Sequence, residues 1–341
     1  MNSKKDVTLP ISTPPAVGGP REEHRNKTPR MTRQGGIVAL AYMACAVMLV
    51  MFNKSALSSY KFPCANIITV LQIVCSTALL YVLRKLEVIN FSNEGSGIID
   101  ASGDGFVPFR VIKKASPLSI SYLFYMVAGM ASIRGVNVPM YTTLRRTTVL
   151  LTMVLEYFLA GQRHSIPIVS SVGFIVVGAF IAGARDLSFD AHGYSLVLVS
   201  NLTTAMYLTF ISRLGKTTGL NSFGLMWCNG IICGPILLLW TIVSGELTMA
   251  LRFPAVFIPG FQLVILLSCM MAFALNYTIF LNTSLNSPLT QTMCGNLKDL
   301  GTILIGWIWF GGLPLDWLNV LGQFLGFLGS GLYAYCKIKG I

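Results

Sequence analysis

Three cations stand inside apolar runs long enough to cross a bilayer: Arg145, Arg146 and Lys298. A charge near the bilayer centre costs about 2.5–3.5 kcal/mol on the insertion scale, so each needs a partner or a wet cavity. Glu156 and Asp299 are the carboxylates at hand. Three cations against two carboxylates leave an excess of positive charge, which suits an anionic solute better than a proton or cation path. Arg145 and Arg146 project about 100° apart on a helix, so one is expected to face a cavity and the other a neighbouring helix. The sequence leaves open which does which. Around them gather Asn137, Thr203, Thr204, Tyr207, Asn276, Tyr277, Thr290, Gln291, Thr292 and Asn296. Singly, Ser and Thr in membrane helices usually bond their own backbone. As a set with aromatics and a lysine, these groups could hold a base, a ribose and a phosphate.

The chemistry of an enzyme is not legible here. His24, His164 and His192 form no Ser/His/Asp set, and no phosphate loop, paired carboxylates or strand-linked GxGxxG follows. The eight cysteines lie almost all in apolar stretches without a CxxC pair, which reads as helix packing rather than a metal site or disulfide frame. No catalytic residue, metal or cofactor is expected.

These residues must be positioned by helices in lipid. Of 341 residues 54% are hydrophobic and 11% charged, with mean hydropathy +0.67. A soluble domain needs about 25% charged residues to face water. The apolar runs are long and do not alternate, so an all-α polytopic membrane protein is expected and a β-barrel excluded. Ten spans are read, approximately 37–53, 64–84, 118–136, 139–160, 166–184, 191–213, 222–244, 258–281, 289–310 and 315–336. Residues 1–35, rich in Pro and Lys/Arg, read as a disordered tail, and 85–117 as the one substantial loop. With ten spans both termini share a side, which carries seventeen of the 25 basic residues against four in the opposite loops. The positive-inside rule makes that side cytosolic. The charge of +12 therefore records topology, and no nucleic acid is expected. Sequons at Asn26, Asn53, Asn201, Asn276 and Asn282 fall in cytosol or membrane and should stay unmodified.

The ten spans divide into two sets of five. Span four carries Leu144-Arg145-Arg146, and span nine carries Leu297-Lys298-Asp299. Spans five and ten are both glycine-stepped: Gly173, Gly178 and Gly183 against Gly322, Gly326, Gly329 and Gly331. Such steps let helices approach closely. An odd-numbered half inserts upside down, so a 5+5 inverted repeat is expected, 36–184 and 185–336, followed by a cytosolic tail 337–341. Inverted repeats hold a solute at the midplane where the halves meet. Arg146 and Asp299, each following an aligned position, are expected to pair and join the halves.

From about residue 36 to 339 the chain resembles a nucleotide-sugar transporter of the drug/metabolite transporter superfamily. Span one has Tyr42 and, eleven residues later, Asn53-Lys54. Span nine reads Gly295-Asn296-Leu297-Lys298-Asp299 where GDP-mannose transporters carry a Gly-Ala-Leu-Asn-Lys sugar-recognition motif. Span seven reads Trp227-Cys228-Asn229-Gly230 where that group carries Phe-Tyr-Asn-Asn for guanine recognition. The departures, with Lys298 moved back one position, turn the expectation to UDP-sugars. The chain looks most like plant Golgi UDP-N-acetylglucosamine transporters.

The resemblance implies exchange of a cytosolic UDP-sugar, UDP-N-acetylglucosamine first, for lumenal UMP. The expected substrate-binding residues are Lys298, Gly295, Asn296, Asn229, Tyr42, Gln291, Arg145 and Tyr207. Alternatives are a GDP-sugar transporter or a triose-phosphate-type phosphate translocator of the same fold. From other classes come a membrane-embedded glycosyl-lipid enzyme or an assembly scaffold. The nucleotide sugar, the nucleoside monophosphate and the lipid bilayer are the expected partners, with a homodimer a further one. Lys337 and Lys339 resemble a dilysine signal read by coat proteins, which suggests Golgi membrane with cycling through the endoplasmic reticulum. Plain charge anchoring at the end of span ten explains the same lysines equally well.

Overall fold

The computed structural model describes residues 30–92, 106–135, 138–183, 191–310 and 317–340. Most of the expected N-terminal tail, the middle of the 85–117 loop, Asn137 and Ile341 lie outside them. Among the described residues the protein is helical, with a single isolated bridge between Ser92 and Leu220. The helices are α1 (Arg33–Lys54), α2 (Ala65–Lys85), α3 (Phe109–Gly135), α4 (Val138–Arg145), α5 (Thr148–Ala160) and α6 (Ile166–Gly183). They continue as α7 (Ala191–Thr218), α8 (Ser222–Val243), α9 (Glu246–Leu251), α10 (Pro259–Leu285), α11 (Pro288–Phe310) and α12 (Trp317–Lys339). Six of these, α1 with its appended π-helical turn, α2, α6, α7, α8 and α10, are long and apolar enough to cross a membrane.

Local chemistry sets the ends. The hydroxyl of Thr32 caps α1 by accepting from Gly35 N at 3.0 Å, and the Asn221 side chain caps α8 by accepting from Gly224 N at 2.9 Å. Gly161, at φ 62°, closes α5 in the left-handed conformation that a side chain would strain. Pro259 opens α10 where no helical N–H bond is lost.

The first and last described segments meet. Met31 N donates to Lys337 O at 3.0 Å, and Arg30 Nε donates to Ile338 O at 2.8 Å. The first and last described residues therefore share one face of the bundle, called the terminal face below. Lys337 is only 6% exposed there.

Within the bundle α1 runs along α10 and α3 along α7. α2 contacts α8 and α10, and α8 contacts α3; α5 contacts α7 and α11, and α11 contacts α1. The tightest crossing joins α6 to α12. A Cβ on Gly178 would lie 2.6 Å from Gly322 O, and one on Gly329 would lie 2.6 Å from Ser171 O. In lipid, where no hydrophobic drive brings helix to helix, close backbone packing must hold them, and small residues permit it.

Candidate functional site

The run 139–160 is not the single helix its hydropathy suggests. It breaks between α4 and α5 at Arg146 and Thr147. Threonine hydroxyls compete for the backbone there: Thr147 Oγ1 donates to Leu144 O at 2.7 Å and Thr148 Oγ1 to Arg145 O at 2.5 Å. Asn201 of α7, 1% exposed, completes the repair by donating to Leu144 O at 2.9 Å and to Thr147 Oγ1 at 3.1 Å. Irregular backbone at membrane depth survives only when buried protein satisfies it in this way.

The break separates the two arginines. Arg145 turns into a cavity of about 490 Å³, donating to Tyr141 Oη at 2.8 Å and Tyr125 Oη at 3.3 Å. Arg146 turns away. Its guanidinium donates to the carbonyl and side-chain oxygens of Gln323 and lies 4.4 Å from the ring centre of Phe327, both on α12. Asp299 is instead held by its own neighbour, with Lys298 Nζ 2.8 Å from its Oδ1. The expected Arg146–Asp299 pair is therefore corrected: the helix break carries Arg146 toward α12, which offers an amide and an aromatic face.

The cavity sits among α1, α2, α3, α4, α5, α7, α10 and α11. Its walls include Tyr42, Arg145, Tyr207, Gln291, Gly295, Asn296 and Lys298, so seven of the eight expected binding residues come together. A Cβ on Gly295 would stand 3.7 Å from Tyr42 Oη, an ordinary contact, so this glycine borders open cavity rather than a crossing helix. The Asn296 amide nitrogen is buried with no hydrogen-bond partner among the described residues. It is placed to donate to a ligand. Gln291 accepts a short hydrogen bond from Asn282.

Asn229 is the exception. It is buried in α8, away from the cavity lining, where its side-chain oxygen accepts from the Cys233 thiol at 3.5 Å. Its neighbour Gly230 stands close against Thr77 of α2. Of the wider polar set, Thr204, Asn276 and Thr292 line the cavity. Thr203 bonds its own helix backbone, Tyr277 stacks on Phe223 at 4.4 Å, and Thr290 meets the Tyr333 hydroxyl at 2.7 Å.

Sequence reading missed Tyr122, Tyr125, Tyr141 and Gln72, all in the cavity wall. A signal existed: Tyr122 and Tyr125 are one helical turn apart, and Tyr141 precedes Arg145 by four. Asn53, noted only as part of a motif and a sequon, also lines the cavity. Its side-chain oxygen accepts from Gln72 at 3.0 Å and Ser268 at 2.7 Å, tying α1 to α2 and α10.

A cavity of this size, about 490 Å³, lies within the roughly 300–1,000 Å³ of small-ligand sites. It combines two cations, the carboxylate of Asp299, five tyrosines and several amides, with no activated nucleophile. Such a lining can bind a polar anion reversibly. The chain belongs to the Triose-phosphate Transporter family, whose model matches residues 33–334. This is a family of transporters rather than enzymes. It is 57% identical to the UDP-N-acetylglucosamine transporter UGNT1 of Arabidopsis thaliana over 99% of both chains. It is 31% identical to the UDP-sugar transporter sqv-7 of Caenorhabditis elegans over 88% of each. The GDP-mannose transporter GONST1 of Arabidopsis thaliana is more distant, at 22% identity over 88% of each chain. A solved crystal structure, 13% identical, shares the fold with a TM-score of 0.60, covering 90% of this chain and 98% of that one.

Proposed function

We propose that the chain is a UDP-sugar antiporter, with UDP-N-acetylglucosamine its first substrate and UMP its exchange partner. The observation that carries this is the chamber itself, with Arg145 and Lys298 brought from α4 and α11 to line one cavity. Two cations in a low-dielectric, tyrosine-lined space match a diphosphate between a base and a sugar. The 57% identity to a UDP-N-acetylglucosamine transporter supports the sugar, and the lower identity to a GDP-mannose transporter weighs against the GDP alternative.

Counting α4 and α5 as one interrupted crossing, and leaving out the six-residue α9, gives ten crossings. Exchanging each for the one five later maps the α1–α10 packing onto α7–α3, α2–α10 onto α8–α3, and α5–α7 onto α11–α1. That correspondence supports an inverted 5+5 repeat, 36–184 and 185–336, working by alternating access. The excess of basic residues beside the terminal face supports a cytosolic placement for it, and hence import into the Golgi lumen. Reading of Lys337 and Lys339 by a coat protein requires Lys337 to leave its present burial against α12's partners.

Counterflow into vesicles preloaded with UMP or GMP, across a panel of nucleotide sugars, tests the reading. Uptake of UDP-N-acetylglucosamine driven by UMP is expected; uptake driven by GMP alone overturns it.

A further inference from the structure

Glu156 plays no part in the chamber, yet it is the most completely buried carboxylate described, at 1% exposure. Its Oε1 accepts from Leu289 N at 2.8 Å, and its Oε2 lies 3.2 Å from His164 Nε2. Leu289 follows Pro288 in the first turn of α11, where backbone donors lack helical partners and the helix dipole favours a carboxylate. The bond thus ties α5 to α11, the helix that carries Gly295, Asn296 and Lys298. Beside it Asn286 donates to Gly35 O of α1 at 3.1 Å and to Asn282 Oδ1 at 2.6 Å. Asn282 in turn donates to Gln291 on the chamber wall. A polar knot closes the bundle between the chamber and the terminal face.

On the outer side of Glu156 lies a second cavity of about 150 Å³, lined by Glu156, Thr209, Ser212, Arg213, Lys216 and Pro288 among others. The same three helices wall both cavities. α5 contributes Thr148 to the chamber and Glu156 to the outer cavity; α7 contributes Leu208 and then Thr209; α11 contributes Gln291 and then Pro288. The two spaces thus share three helices, and the Glu156–Leu289 bond stands at the wall of the outer one.

We propose that Glu156 is the latch of a gate at the terminal face, and that the outer cavity is its vestibule, where Arg213 and Lys216 receive a phosphate-bearing solute. The latch holds α11 by its N-terminus; its release lets α11 move from α5 and join vestibule to chamber. This rests on the transport reading, but its first test needs no nucleotide sugar.

The full-length protein carrying Thr292→Cys, a chamber-wall position, is sealed into vesicles sorted for orientation, and a membrane-impermeant maleimide is added from one face. Peptide mass spectrometry resolves this cysteine from the eight native ones. Adding Glu156→Leu, which removes a charge-assisted acceptor, is expected to speed labelling from the terminal face about tenfold and leave the opposite face unchanged. Glu156→Gln keeps an oxygen for Leu289 N–H and should stay near the parent rate. Unchanged labelling in Glu156→Leu, or equal acceleration from both faces, overturns the latch. If Glu156→Leu does not accumulate, Leu289→Pro, which removes the donor in the first helical turn where proline is tolerated, must show the same one-sided acceleration. For the vestibule, Arg213→Ala with Lys216→Ala should raise KM for solute presented at the terminal face alone; an equal rise at both faces, or none, overturns that part.

Discussion

The ammonium of Lys298 lies 2.8 Å from the carboxylate of Asp299, its own successor in α11. Both groups are a quarter to a third exposed to the chamber, at 24% and 33%. The lysine proposed to meet the substrate's phosphates therefore already holds a counter-ion. On that proposal a dianion entering the chamber would compete with Asp299 for it, and its departure would return the lysine to the carboxylate.

Lys298→Ala should abolish exchange in protein of unchanged fold. Asp299→Asn leaves the lysine without its resting partner, so nucleotide should bind more tightly and leave more slowly. Calorimetry and single-turnover efflux measure the two effects. Tighter binding with undiminished turnover would refute the competition.

Arg145 is aimed by two hydroxyls, those of Tyr141 at 2.8 Å and Tyr125 at 3.3 Å. Hydrogen bonds to a charged group contribute about 1.5–3 kcal/mol each, so Tyr125→Phe with Tyr141→Phe should raise KM about tenfold or more. The rings remain, so thermal stability should change little. An unaltered KM would show that the arginine does not depend on these tyrosines.

Arg146 holds the broken helix to α12 through Gln323 and Phe327. Its truncation to Ala loses a charged hydrogen bond and a desolvated cation–π contact, about 2 kcal/mol or more together. A lowered Tm in detergent is expected, with Arg146→Lys unable to restore it because the planar fork is lost. Exchanging charges between Arg146 and Asp299 should not rescue either single variant. Recovery of stability in that double exchange would mean the two residues pair after all.

Two glycines of α6 separate packing from composition. At Gly178 a Cβ would press to 2.6 Å on Gly322 O, whereas at Gly173 nothing lies within 4 Å. Gly178→Val should abolish accumulation of folded protein, and Gly173→Val should be tolerated. Size-exclusion profiles of the two variants measure this directly. Equal tolerance would place the α6–α12 crossing elsewhere.

The class of this protein, and the neighbourhood of its site, were legible in the chain alone. Burial of about 20 apolar residues per crossing is a sum over a local window, so hydropathy finds helices without knowing their neighbours. A cation inside such a window stands out for the same reason, as Arg145, Arg146 and Lys298 do. The glycine steps of α6 and α12 announced a close crossing because only small residues permit one.

What a side chain faces is a different quantity. Lipid and protein interior are equally apolar, so a membrane helix carries little of the amphipathic stripe that marks the buried face of a soluble one. Tertiary packing alone therefore decided that α4 ends at Arg145, that Arg145 enters the chamber while Arg146 seeks Gln323, and that Asp299 answers Lys298. The same packing turned Asn229 toward Cys233 and brought Tyr122, Tyr125 and Tyr141 into the wall. Each of these depends on rotation about a helix axis, which is set by the helices packed beside it and leaves almost no trace in a uniformly apolar sequence.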